Sequence, residues 1–177
     1  MNHTAAFLRN FEYFTLIVVL MKAIDPKIID ILNDLLKGEL TAINQYFLHA
    51  EMCNNWGYKR LYATIRKESI EEMVHAEKYM ERILFLDGAP NMTESLKIKV
   101  GKTVQEQFQN DLELEQEAMV KLMNAITFAT EIGDYGSKDL FEQILAEEEH
   151  HVDWLEAQLG IITEVGVANY LAQQINE

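Results

Sequence analysis

The chain has 177 residues, with 15 Lys and Arg against 29 Asp and Glu, a formal charge of -14 and 49% hydrophobic residues. That length and apolar content support one globular domain without a disulfide staple, which excludes the disordered and disulfide-rich secreted classes. A single cysteine, Cys53, argues against Cys-based zinc or iron–sulfur sites and fits a reducing compartment, while a pI near 4.7 makes nucleic acid and anionic lipid poor partners and favours cations.

Residues 1–20 differ from the rest. Phe14 to Met21 form an apolar run preceded by Arg9 and Glu12, too short for a membrane span of about 20 residues. The segment is read as an unstructured or artificial extension; a secretory leader is the weaker alternative, because one basic residue precedes the run and no clear small-residue cleavage motif follows. Met21-Lys22 then opens a stretch that reads as an ordinary cytoplasmic amino terminus, so residues 21–177 are expected to be the functional domain.

Helical periodicity begins at Asp25-Pro26, a cap followed by proline at the first helical position, and continues through Ile28, Leu32, Leu35, Ile43 and Phe47 to about Trp56, where Gly57 stops it. A second run spans about Tyr58 to Leu86 and ends at Asp87-Gly88-Ala89-Pro90. Residues 91–102 carry no long helical stripe. A link of roughly 15 residues travels the length of a bundle, whereas a tight hairpin would leave it without packing partners. The third helix is expected from about Thr103 to Glu131 and the fourth from a Ser137 cap to about Leu159, closed by Gly160. A short fifth helix is expected from Thr163 or Gly166 to Gln174. The economical fold is all-α: a four-helix bundle with a long crossover between helices 2 and 3 and a short C-terminal helix outside it.

Chemistry is carried by a repeated constellation. Glu72 and His75 stand three residues apart on the second helix, Glu148 and His151 repeat that spacing on the fourth, and positions three apart share a helix face. Helices 1 and 3 carry Glu39 and Glu115. Adding 76 converts Glu39 to Glu115, Glu72 to Glu148 and His75 to His151, so one offset relates all three pairs. Any single Glu-x-x-His pair is weak, and a lone helical Glu is more often solvated. Four carboxylates facing one interior would repel and desolvate at several kcal/mol each, a conflict that metal resolves. The set suits two irons with one or two bridging carboxylates, although zinc or manganese could use the same groups. Raised carboxylate pKa values in the empty site and proton release on loading follow.

Other residues stand further out. Tyr46 lies seven residues after Glu39 on the same face, where its hydroxyl either donates to a ligand carboxylate, supplies an electron, or simply fills the core. His49 and His150 have no assigned role, and His150 points about 100 degrees away from His151. Cys53 fills apolar space, and Trp56 and Trp154 are packing anchors, with Trp154 a candidate wall of the site.

The segment Met21 to Glu177 resembles bacterioferritin, the haem-containing bacterial branch of the ferritin family. The carriers are Gly38-Glu39-Leu40, Ala42 to Ala50, Glu68 to Met73 with His75-Ala76, Glu81 to Leu86, Asp111-Leu112 with Leu114-Glu115, and Glu148 with His151 and Asp153-Trp154-Leu155. The resemblance implies that Glu39, Glu72, His75, Glu115, Glu148 and His151 are ferroxidase ligands and that the chain stores ferric mineral. It also implies a cytoplasmic cage of 24 subunits built as twelve twofold dimers, each bridged by haem b held axially by Met73 from two subunits, with Leu40, Asn44 and Phe47 as pocket wall. An electron-donor protein for iron release is implied, and a second ferritin subunit type stays open. Lys67 departs from the pattern: some family members carry histidine there for an extra iron site on the cavity wall. Glu68 and Glu71 remain as transient iron contacts.

Three rivals were open on sequence. A diiron oxidase or peroxidase of the rubrerythrin kind shares the carboxylate bundle without mineral storage, and a scaffold bundle would have no turnover. A DNA-protecting mini-ferritin fits less well, because its sites resemble ones shared across a subunit boundary whereas all six ligands lie within this chain.

Overall fold

Asp25 and Pro26 start the first helix: Asp25 Oδ1 accepts from the backbone of Lys27 at 2.9 Å, and its carbonyl accepts from Ile28 at 3.0 Å. The computed structural model describes residues 25–176, so the extension expected at residues 1–20 lies outside the described residues. Five helices follow in order: α1 (Lys27–Trp56), α2 (Lys59–Phe85), α3 (Val104–Ile132), α4 (Tyr135–Val165) and α5 (Val167–Ala172). No strand occurs among the described residues, and no helix there is long and apolar enough to cross a membrane.

Two boundaries differ from the sequence reading. Asp134 caps α4, its Oδ1 accepting from Ser137 N at 3.1 Å. Ser137 lies inside the first turn, where its hydroxyl donates to Asp134 Oδ2 and accepts from Arg82 Nε. At the other end α4 runs through Gly160 and stops at Gly166, whose φ of 80° is the left-handed backbone that ends a helix at low cost for glycine. Gly160 lacks that geometry, and Ile162 behind it is buried, so the apolar stripe carries the helix past the glycine.

Helices α1 and α2 form one antiparallel hairpin and α3 and α4 the other. Their apolar faces meet in two separate cores. Ile28, Leu32, Leu36, Ile83, Phe141 and Ile144 fill one end of the bundle; Cys53, Leu61, Ile65, Phe108, Leu155 and Tyr170 fill the other, where α5 packs. Each fully buried large aliphatic or aromatic side chain contributes about 1.5–3 kcal/mol. Between the two cores the bundle has a polar waist, and the candidate metal residues sit there.

The crossover runs along α1 and is pinned by side chains. Asn33 Oδ1 accepts from Asn91 N at 2.7 Å, Gln45 Oε1 from Lys99 N at 2.8 Å, and His49 Nε2 from Gly101 N at 3.3 Å. His49 Nδ1–H in turn donates to Asp111 on α3, which also accepts from Gln45 Nε2 at 2.8 Å. Gly101 is required here, since a Cβ would lie 2.4 Å from Gln107 N. Thr103 then caps α3 by accepting from Glu106 N.

Candidate metal centre

Four carboxylates and two imidazoles converge at the waist, one or more from each long helix. Glu72 and Glu148 are fully buried, Glu115 is 2% exposed and Glu39 5%. Their helices place them there because the apolar stripes on either side of each position dock into the two cores, which holds these side chains almost wholly out of water.

Two overlapping groups result. Glu39, Glu72, His75 and Glu148 each offer one atom to a common point, with those atoms within 4.8 Å of one another; Glu72, Glu115, Glu148 and His151 do the same. Glu72 and Glu148 belong to both. A pair of cations in these groups would therefore be bridged by two carboxylates, each cation completed by one further carboxylate and one imidazole. The imidazole rings face each other, 6.2 Å apart between centroids.

Hydrogen bonding describes how the chain manages this charge on its own. His75 Nδ1 lies 2.9 Å from Glu72 Oε2 and 3.1 Å from Glu148 Oε1, and His151 Nδ1 lies 3.0 Å from Glu148 Oε2 and 3.1 Å from Glu72 Oε1. Glu72 Oε1 and Glu148 Oε1 nevertheless accept no hydrogen bond of good geometry, so two deeply buried oxygens keep unused acceptor capacity. Such orphaned oxygens beside imidazole Nδ1 atoms are the donor set a hard first-row cation uses.

The titration behaviour splits the six residues into two classes. Burial pushes Glu39 and Glu115 well above the usual carboxylate range, reinforced by repulsion from Glu72 and Glu148. Burial acts the same way on Glu72, but hydrogen bonds from His151 and His75 override it and hold the group at about 2. Glu148 is likewise lowered by the imidazoles against burial and the charge of Glu72. His75 is raised to about 10, its hydrogen bonds to Glu148 and Glu72 outweighing burial, and His151 is raised for the same reason by Glu148, Glu68 and Glu72. Without metal the two imidazoles thus favour their charged form beside Glu72 and Glu148, while Glu39 and Glu115 are pushed toward the neutral acid.

Among the secondary residues, Tyr46 is buried and donates its hydroxyl to Glu115 Oε1, the donor arrangement open to it on sequence. His49 is committed elsewhere, to Asp111 and the crossover. His150 is exposed and lines the cleft outside the centre; Trp154 is half-buried, meets Phe108 edge-on at 5.5 Å and borders a small gap beside Tyr46 and His151. Met73 lies apart from the centre on the outer face of α2, 47% exposed.

Near the centre, Glu147 and Tyr79 were not singled out from sequence, and Glu68 and Glu71 were expected only as transient iron contacts. Glu147 Oε2 lies 2.6 Å from His75 Nε2, and Glu68 Oε2 lies 3.0 Å from His151 Nε2. These outer carboxylates hold the far nitrogen of each ring and so orient the nitrogen that faces the centre. The offset of 76 also relates Glu71 to Glu147, a signal available in the sequence, and Glu71 lies 3.8 Å from His151. Tyr79 is fully buried with an unpartnered hydroxyl in the field of Glu39 and Glu148.

The comparisons agree with this architecture. The ferritin-like domain family matches residues 29–165. Bacterioferritin of Mycolicibacterium paratuberculosis is 47% identical over 152 residues, covering 86% of this chain and 96% of the relative. Bacterioferritin of Mycobacterium avium is 46% identical over the same lengths, and that of Streptomyces coelicolor is 46% identical over 153 residues, covering 86% of this chain and 92% of its own. Close identity along nearly the whole of such relatives, joined to a ferritin-like bundle with a carboxylate waist, means that the chain belongs to the bacterioferritin family of ferritin-like proteins.

Proposed function

We propose that the protein stores iron and is a ferroxidase, oxidising Fe(II) to Fe(III) at an intrasubunit diiron centre and depositing ferric mineral inside a cage. The observation that carries this reading is the pair of four-residue groups sharing Glu72 and Glu148. Glu39 and His75 complete one iron position and Glu115 and His151 the other. Iron is the substrate. Each of two Fe(II) ions gives one electron; dioxygen takes both with two protons to become hydrogen peroxide, and peroxide takes another two with two protons to become two waters. The chain's part is to hold both ions close, accept their charge on four carboxylates and release the protons those groups and the imidazoles carry beforehand. Tyr46 fixes the Glu115 carboxylate by donating its hydroxyl to Oε1.

The test is aerobic addition of Fe(II) to the assembled protein. Uptake of hundreds of irons per assembly with a rapid initial phase is expected; saturation at two per subunit would favour the rubrerythrin-type oxidase, and no oxygen consumption would leave a scaffold.

The assembly proposed is a cage of 24 subunits in the cytoplasm, formed from twofold dimers and served by an electron-donor protein, with a second subunit type as an option. Haem fits the residues present. Met73 offers an exposed thioether one turn from Ile70 on α2, and Phe47 is exposed on α1, all three between 43% and 51% exposed. Ser69 Oγ donates to Ile43 O at 2.9 Å and fixes the two helices at that level. Met73 and its symmetry copy would hold the haem, which would supply one-electron redox chemistry. Replacing Met73 with Leu is expected to remove the haem absorption while leaving helicity and assembly intact; an unaltered haem spectrum would dismiss Met73 as the ligand.

A further inference from the structure

Two openings approach the carboxylate waist from opposite sides of the bundle, and they differ in size and chemistry. Between α2 and α4 lies a cleft of about 560 Å³ bordered by His75, His151, Glu68, Glu71 and Glu147, with Lys67 and Lys78 paired to Glu71 and Glu147 at its edge. Between α1 and α3 a passage of about 40 Å³ reaches Glu39 and Glu115 and is walled by Leu35, Ala42, Leu114, Ala118 and Leu122, with Glu117 and Lys121 at its mouth. A water takes up roughly 30 Å³ in the liquid, so the narrow passage admits one or two small molecules and not a divalent ion with several attached waters. Stripping those waters is no remedy along the stretch between Glu117 and Lys121 at the mouth and Glu39 and Glu115 at the inner end, because the wall there is apolar and desolvated charge is strongly disfavoured.

The mouth of the passage points the same way. It opens beside Lys121 into a wider cleft that also holds Lys37, Lys97 and Lys99. Lys37 is paired with Glu94, Lys99 with Glu113 and Lys121 with Asp34. In a chain of net charge -14, this face has no acidic excess to draw a cation.

Gly38 supplies an independent mark. It sits inside α1, where glycine weakens a helix relative to alanine. Its φ is not positive, and a Cβ there would meet nothing within 4 Å, so neither backbone geometry nor close packing calls for glycine. The missing side chain leaves the rim of the passage open, since Gly38 borders both it and the lysine cleft.

We propose that the apolar-walled passage beside Gly38 is the port through which the uncharged oxidant, dioxygen or hydrogen peroxide, reaches the centre, while iron uses the imidazole- and carboxylate-lined cleft on the opposite side. The proposal rests on the ferroxidase reading above, and the oxidant takes its two electrons and two protons as stated there. Gly38→Leu in the assembled protein tests it, with Gly38→Ala as a control that improves the helix while filling little space; Ala118→Leu, from the α3 wall, repeats the test should Gly38→Leu fail to assemble. Oxidation of Fe(II) already bound is expected to slow about tenfold and to need more dioxygen for its half-maximal rate. Anaerobic filling of the centre by Co(II), followed by its visible absorption, is expected to keep the parent's rate and stoichiometry. If Co(II) filling slows in step with oxidation, the passage carries the cation and the proposal falls. It falls equally if neither rate moves in an assembled variant. A parent protein that binds no Co(II) at the centre would overturn the diiron reading itself, and the port with it.

Discussion

Replacing Glu115 or His151 with alanine is expected to abolish the rapid phase of Fe(II) oxidation, lowering its rate by at least about a hundredfold, while the far-ultraviolet helical signal persists. Both residues complete the same iron position, so the kinetic loss is shared. Their effects on the metal-free protein differ. Glu115 is raised by burial and by repulsion from Glu72 and Glu148, which favours its neutral form, and its removal costs little beyond the hydrogen bond from Tyr46. His151 neutralises two buried carboxylates at 3.0 and 3.1 Å. Breaking a buried ion pair from one side costs on the order of 3 kcal/mol, so His151→Ala is expected to lower the thermal midpoint of metal-free protein well below that of Glu115→Ala. Stopped-flow absorbance at the ferric band and thermal melts measure the two effects. A burst of parental size in either assembled variant would remove that residue from the centre.

The contrast between these two residues also shows which parts of the site were open to sequence reasoning. Their common offset from Glu39 and His75 is pure spacing, and spacing survives translation into helices because a residue three positions on always returns to nearly the same face. The crossover was legible for a similar reason, since its length permits a run along α1 and little else. What spacing does not encode is which of several suitable residues wins a local competition. Asp134 takes the cap of α4 from Ser137 because the two hydrogen-bond to each other and Arg82 joins them, a partnership between α2 and the start of α4. Gly160 remains helical because buried Ile162 follows it. The commitment of His49 to Asp111 and Gly101 depends on three segments far apart in sequence. Beyond its offset from Glu71, Glu147 carries no mark in the sequence of its place beside His75, and Glu68, expected only as a transient iron contact, lies beside His151 because α2 and α4 bring them together.

The opposed titration of the six central residues leads to the second large effect, a reversal of how pH acts on stability when metal binds. In metal-free protein His75 and His151 are raised above the ordinary 6.5 and hold protons near pH 7, and Glu39 and Glu115 are raised above the ordinary 4.5. In each case the folded pKa lies above the unfolded one. Stability from these groups is fully present below the unfolded value and is lost as pH rises, for His75 through a folded pKa of about 10. Glu72, at about 2, and Glu148 are shifted the other way, but their contribution is lost only in acid and does not slope near neutrality. Metal-free protein is therefore expected to melt at lower temperature at about pH 8 than at about pH 6. Loading with a divalent ion that does not oxidise, such as Co(II), requires both imidazoles neutral and all four carboxylates ionised. About two protons per centre are then expected to leave from the imidazoles, with any held by Glu39 and Glu115 adding to them, and the apparent affinity of each ion to rise by at least about tenfold per pH unit near neutrality. Loaded protein should consequently gain thermal stability over the interval in which metal-free protein loses it. Proton release into weakly buffered solution containing an indicator dye, together with paired melts, measures both signs. Release of fewer than about two protons per centre, or melts that fall together with rising pH, would contradict the assignment of charge at the waist.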